Sequence, residues 1–278
     1  MEERSGSETC GEDCCRAFAE SYEVSGLAAM REIERSVLGC DYGGTSWTTR
    51  RQAEEIVERL GLRPGIRLLD VGSGAGWPGL FLAERSGCKV VLVDLPLNAL
   101  GEARKRARSD GLDGRVGALV GSGVAMPLRK ASFEAIGHSD VLCCLPEKLE
   151  MLCECRRLVR DGAPMLFSVI ALAPGLTGPD RHRALEAGPP FVEAPGNYAD
   201  LLAQSGWQLG ERWDATPEHR KSLCALVDGL RESVELSEAL GRDAVEAALA
   251  RREEQIETID AGLLVREIFY SRAAGTPL

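Results

Sequence analysis

The stretch running from Leu68 to Asp94 restricts the fold more than any other. A largely apolar run, Ile66-Arg67-Leu68-Leu69-Asp70-Val71, leads into Gly72-Ser73-Gly74-Ala75-Gly76. A segment of one helix's length follows, and then a second apolar run from Lys89 to Leu95. Two short apolar runs joined this way predict a strand, turn, helix and parallel strand. Glycines at alternate positions let the backbone turn tightly and approach a ligand without Cβ collisions. A helix predicted over Trp77 to Arg85, with Pro78 in its first turn, would aim its free amides into the same space. Asp94 ends the second strand, where a carboxylate can accept both hydroxyls of a ribose.

The glycine spacing narrows the ligand. Dinucleotide binding needs GxGxxG, and the position where its third glycine would fall is Trp77, too bulky for the close approach of a pyrophosphate. GxGxG argues for a nucleoside without one. A nicotinamide oxidoreductase is disfavoured on the same ground.

Around this unit, strands and helices alternate. Strands are predicted over 115–121, 132–140, 163–171 and 207–215, and a final one over 263–271; helices are predicted over 49–60, 98–109, 146–159 and 198–204. The pattern indicates an α/β fold with a mostly parallel, doubly wound sheet. The first forty residues carry Phe18, Tyr22, Leu27, Met30, Ile33 and Val37 at helical intervals, and Glu218 to Asp260 is helical in composition. Ala173 to Asn197, rich in proline and glycine, reads as a long irregular crossing segment of the kind used for functional loops.

Asp70, Gly72, Gly74, Gly76 and Asp94 resemble the first two motifs of the class I S-adenosylmethionine-dependent methyltransferases, and within them the bacterial small-molecule enzymes with a helical cap. The resemblance, from about Tyr42 through Leu278, implies a seven-stranded sheet whose last strand is antiparallel. It implies an N-terminal helical lid over residues 1–60, and a methyltransferase domain over 61–278 with cap elements at about 173–197 and 216–260. It implies S-adenosylmethionine as cofactor. The Gly72-Ser73-Gly74 backbone would meet its methionine end, with Asp70 supporting the loop or the amino group; Asp94 would hold the ribose and Leu95 the adenine. Ser122 stands where the family usually has an acid facing the adenine amine. His138-Ser139 would lie at the sulfonium side, and Tyr42 and Trp47 would close over the methionine part, or else pack on the sheet.

Methyl transfer to a hydroxyl, protonated amine or carbon acid needs a general base as well as positioning. Of the three histidines, His138 is the first choice, because it falls at the carboxyl end of the fourth strand; Asp140 could orient it. His182 and His219 read as surface residues. The expected activity is methyl transfer to O, N or C of a small molecule. The alternatives are a cyclisation or decarboxylation on the same fold, or a non-catalytic binding protein.

Composition supports a small-molecule partner. With 43 acidic and 33 basic residues the formal charge is −10, which disfavours nucleic acid. No apolar run is long enough for a membrane span and Met1 to Glu12 is polar and acidic rather than signal-like, so the expected location is cytoplasmic. The ten cysteines form no paired CxxC arrangement and read as reduced, mostly packed thiols. No acidic cluster suggests a metal.

Overall fold

The structure is a computed structural model describing residues 6–275; the outermost residues of the expected lid and domain spans, 1–5 and 276–278, lie outside the described residues. Seven strands, β1 (Arg67–Val71), β2 (Lys89–Asp94), β3 (Val116–Val120), β4 (Ala135–Ser139), β5 (Pro164–Leu172), β6 (Trp207–Asp214) and β7 (Leu264–Ala273), form one sheet in the order β3-β2-β1-β4-β5-β7-β6. The first five are mutually parallel, and β7 runs antiparallel between β5 and β6. This is the predicted α/β architecture. The order reverses between β1 and β4, and open α/β sheets bind ligands in the crevice beyond the carboxyl ends at such a point.

Helices cover both faces. α3 (Arg50–Arg59), α4 (Gly79–Ser86) and α5 (Leu97–Ser109) bury Ile56, Leu80, Phe81 and Leu100 against Leu68, Leu92 and Ile268 on one side. On the other, α6 (Lys148–Leu158) and α8 (Tyr198–Gln204) bury Met151, Leu152, Leu201 and Leu202 against Leu69, Ile136, Met165 and Phe167. The termini of α3 follow from local sequence. Thr49 and Gln52 form a reciprocal capping box, and Gly61, at φ 62°, turns the chain just beyond its end.

Three expectations are corrected. The helix after the glycine turn begins at Gly79, not Trp77, because the Trp77 indole is drawn into the core, where its Nε1 donates to the Thr48 carbonyl at 2.7 Å. Residues 173–197 are not irregular throughout: α7 (Gly178–Ala187) forms there, with proline in its first turn, where a missing N–H is harmless. The helical stretch near the C-terminus is three helices, α9 (Thr216–Glu232), α10 (Val234–Leu240) and α11 (Arg242–Asp260), divided at Ser233 and Gly241.

The N-terminal helices α1 (Gly6–Ser25) and α2 (Ala28–Leu38) do not stand apart from that C-terminal group. Ile33 of α2 packs with Leu230, Leu236 and Val245 of α9, α10 and α11 in a small separate core. The backbones approach so closely that a Cβ on Gly229 would lie 2.9 Å from the Ile33 side chain. These N-terminal and C-terminal helices pack together as one helical layer. No helix among the described residues is long and apolar enough to cross a membrane.

Candidate active site

The turn after β1 takes the shape its glycines permit. Gly72, Gly74 and Gly76 have φ of 67°, 52° and 98°, values that side chains rarely adopt. Space adds to this at all three, a Cβ on Gly76 coming within 2.6 Å of the Leu80 side chain. A Cβ on Gly72 would lie 2.3 Å from a Val141 methyl, and one on Gly74 would lie 2.3 Å from the Tyr22 hydroxyl. The Asp94 carboxylate reaches across from β2 and accepts the Gly74 amide at 2.6 Å and its neighbour's, Leu95, at 2.7 Å. Asp70 is buried beside the amino end of α4, so close that a Cβ on Gly79 would meet its Oδ2 at 2.3 Å. Burial, with Asp94 nearby, pushes Asp70 up to about 8. Ser73 is also buried, its hydroxyl without a partner. Turn, strand-end acid and orphaned hydroxyl thus converge on one crevice.

Beside it lies apolar surface. Leu95, Leu97 and Val120 are large hydrophobic side chains left exposed, at the ends of β2 and β3 and the start of α5; Asp94 and Val120 are register partners. An apolar slot next to a strand-end carboxylate suits a purine next to a ribose. Ser122 lies in the turn after β3, where its hydroxyl accepts the Val124 amide at 3.4 Å.

Sequence reasoning missed Tyr22. It belongs to α1, and its hydroxyl sits over Gly74 within 3.4 Å of Thr45 Oγ1. Burial and the nearby Asp94 carboxylate push its pKa far above the ordinary tyrosine value. Its helical periodicity looked like any apolar position, and nothing local ties residue 22 to a turn at residue 74. Tyr42, expected over the ligand, instead packs against Trp77 at 5.2 Å with the Arg106 guanidinium on its ring at 4.6 Å. That is the packing alternative.

The two expected catalytic residues are placed elsewhere than the sequence suggested. His138 points into the core on the α6–α8 side, 2% exposed, its ring stacked on Phe167 at 4.7 Å. Neither ring nitrogen has a partner, and desolvation lowers its pKa to about 3. Strand alternation is the reason: His138 shares the face of Ile136, whereas Ser139 turns to the other and receives the Thr48 hydroxyl at 3.0 Å. His138 is therefore corrected from a catalytic to a core residue.

Asp140 does not orient His138. Its φ of 56° turns the buried carboxylate onto Arg266 of β7, with contacts of 3.0 and 3.2 Å from Nε and 2.9 Å from Nη2. Arg266 is only 1% exposed, and it also donates to Ser168 Oγ at 2.9 Å and Gln52 Oε1 at 3.4 Å. The pair clamps β4, β5, β7 and α3 together directly behind the site.

The surface reading fails for His219 and holds for His182. His182 is exposed, while His219, in the first turn of α9, is buried with its ring edge-on to Trp47 at 4.8 Å. Cys143 and Cys144 both donate towards the Asp140 carbonyl, and Cys40, Cys88, Cys143 and Cys155 are buried free thiols. Among the described residues no group of three metal-ligating side chains converges.

A seven-stranded sheet with one antiparallel strand, carrying a GxGxG turn and a strand-end acid, defines the class I methyltransferases. Residues 69–167 match the family model described as "Methyltransferase domain". Methyltransferase GfsG of Streptomyces halstedii is 29% identical over 176 residues, covering 61% of this chain and 63% of its own length. The 24-methylenesterol C-methyltransferase 2 of rice is 33% identical over 114 residues, 41% of this chain and 31% of its own. The 27-O-demethylrifamycin SV methyltransferase of Amycolatopsis mediterranei is 26% identical, covering 66% and 70%. The chain thus spans less than two thirds of the first two relatives. Solved structures share the fold: geranyl diphosphate C-methyltransferase from Streptomyces coelicolor has a TM-score of 0.67 at 17% identity, covering 81% of this chain and 79% of its own. The [4+2]-cyclase SpnF has a TM-score of 0.65 at 19% identity, covering 81% and 82%.

Proposed function

We propose that the protein transfers a methyl group from S-adenosylmethionine to an O, N or C atom of a small molecule. The observation that carries this reading is the glycine turn, its Gly74 amide held by Asp94 beside the exposed Leu95–Val120 slot. The residues fit the cofactor: a cradle that a Cβ would fill, a half-buried carboxylate at ribose position and an apolar slot for a purine. The Gly72-Ser73-Gly74 backbone would hold the methionine end, Asp94 the ribose, Leu95 and the Ser122 turn the adenine, and Ser139 the sulfonium side. Tyr22 and Trp47 would cover the methionine part from the helical layer.

Bound S-adenosylmethionine supplies an electrophilic methyl on a sulfonium. That methyl would pass to the acceptor atom, with the sulfonium leaving as a neutral thioether and the acceptor's proton lost to solvent. The chain's task is to align the acceptor and exclude water, and the helical layer above the strand ends is built to do both. The related proteins' activities, on a sterol and a rifamycin, support a small organic acceptor.

Calorimetry with S-adenosylmethionine and its demethylated product tests the cofactor, and methyl-labelled cofactor offered to a panel of phenols, amines and carboxylic acids tests the chemistry. Micromolar binding and label transfer are expected. No binding at millimolar cofactor sinks the reading, and turnover of an acceptor without demethylated product would shift it to the non-methylating alternative.

His138 yields an independent prediction. Its folded pKa lies below the ordinary value, so below about 6.5 the unfolded chain binds a proton that the fold refuses until about 3. Stability is therefore present above 6.5 and is lost as pH falls. His219 carries the same sign, lowered to about 3 by burial and by Arg266. His138→Leu, similar in size and without orphan nitrogens, is expected to retain methyl transfer and to reduce the acid-side slope of stability, read from urea melts between pH 7 and 4. A folded but inactive His138→Leu would restore His138 to the chemistry.

A further inference from the structure

One half-buried charge above the strand ends has no counter-charge. Arg252 of α11 lies over the Trp47 ring at 5.4 Å, and it donates a hydrogen bond to the neutral Gln255 Oε1 at 2.8 Å. Among the described residues it forms no ion pair, and burial with Arg251 nearby brings it down to about 10. Arg266, by contrast, has Asp140. A guanidinium drawn out of water is costly unless an anion accompanies it. On the edge of the same indole lies His219, 4% exposed, with no hydrogen bond to either ring nitrogen and Nδ1 sealed from solvent.

Trp47 is held firmly where these two meet. The next residue, Thr48, donates its hydroxyl to Ser139 at the end of β4 and receives the Trp77 indole N–H on its carbonyl. An anchored aromatic plate, an unpaired cation and an unsatisfied imidazole therefore stand together beside the strand end proposed for the sulfonium. Counted together, the Asp140–Arg266 pair is neutral and the imidazole, which burial and then the nearby Arg266 keep uncharged, adds nothing. The excess is the single positive charge of Arg252.

We propose that Trp47, His219 and Arg252 form the acceptor pocket, and that the acceptor is an organic anion whose carboxylate or phosphate seats on Arg252 while a hydroxyl or N–H donates to His219. This rests on the methyl-transfer reading. The Trp47 face packs the body of the molecule, Arg252 fixes its charged end by a planar fork suited to either oxyanion, and His219 accepts the proton-bearing group.

The test is calorimetry on the full chain saturated with demethylated cofactor, using 4-hydroxybenzoate, its neutral analogue 4-hydroxybenzamide, benzoate and phenyl phosphate. The expected result is at least tenfold tighter binding of an anion than of the amide. Benzoate against phenyl phosphate tells which oxyanion the site prefers. Arg252→Gln should abolish the preference and Arg252→Lys retain part of it, with cofactor affinity within about twofold of wild type in both. Exchange of the neighbouring exposed Arg251 for Gln should change neither. His219→Phe should erase the advantage of 4-hydroxybenzoate over benzoate. The proposal is overturned if wild type shows no anion preference, or if the preference survives Arg252→Gln. If the demethylated cofactor itself does not bind, the first titration shows it, and the methyl-transfer reading falls along with the proposal.

Discussion

Asp94→Ala is expected to weaken S-adenosylmethionine binding on the order of 100-fold in calorimetry. Two losses combine. The carboxylate is proposed to accept the ribose hydroxyls, and hydrogen bonds to a charged group contribute about 1.5–3 kcal/mol, with tenfold in affinity for each ~1.4 kcal/mol. It also accepts the Gly74 and Leu95 amides, so its removal frees the loop that must meet the ligand. Burial raises the Asp94 pKa, while those two amides oppose the shift. Asp94→Asn, which can still accept one bond, should fall between alanine and wild type. Binding within threefold of wild type in a well-folded Asp94→Ala would remove Asp94 from the site.

The second large effect concerns stability. Asp140→Ala leaves Arg266, with 1% of its side chain exposed, as a buried charge without its counter-ion. Removing one partner of such a pair typically costs about 3–5 kcal/mol. For a chain of this size that corresponds to a fall in Tm of roughly 6–20 °C. The double variant Asp140→Ala/Arg266→Met should recover much of that loss, because an apolar side chain carries no desolvation cost. Cofactor affinity measured on the double variant then separates scaffold from chemistry. If Asp140 acts only as a clamp, affinity returns with stability. A double variant as unstable as Asp140→Ala alone, or an Asp140→Ala protein as stable as wild type, would refute the clamp.

The two residues first chosen for catalysis show why strand ends are hard to read in sequence. His138, Ser139 and Asp140 are consecutive, and all lie at the right end of the right strand. Yet His138 faces Phe167, Ser139 faces Thr48, and Asp140 turns back onto Arg266. Strand alternation separates the first two and a positive φ redirects the third. A run of polar letters at a strand terminus gives the location of the crevice but not which side chain enters it. His219 was misjudged for the opposite reason. It opens a helix rich in charge, and only the packing of α9 onto Trp47 buries it.

What the sequence alone determined is everything with a local cause. The glycine turn, its spacing against a pyrophosphate, the strand-end Asp94, the capping box of α3 and the alternation of strands and helices all depend on residues close together in the chain. Local sterics and periodicity write them directly into the order of residues. The tertiary structure decided what depends on distant residues meeting. Asp140 meets Arg266 because β7 inserts beside β5 in the sheet, whereas Tyr22 over Gly74 and Trp47 between His219 and Arg252 arise when the N-terminal and C-terminal helices pack as one layer over the sheet. No periodicity in either segment encodes that encounter, because the contacts that create it are long-range apolar packing around Ile33, Leu230 and Leu236.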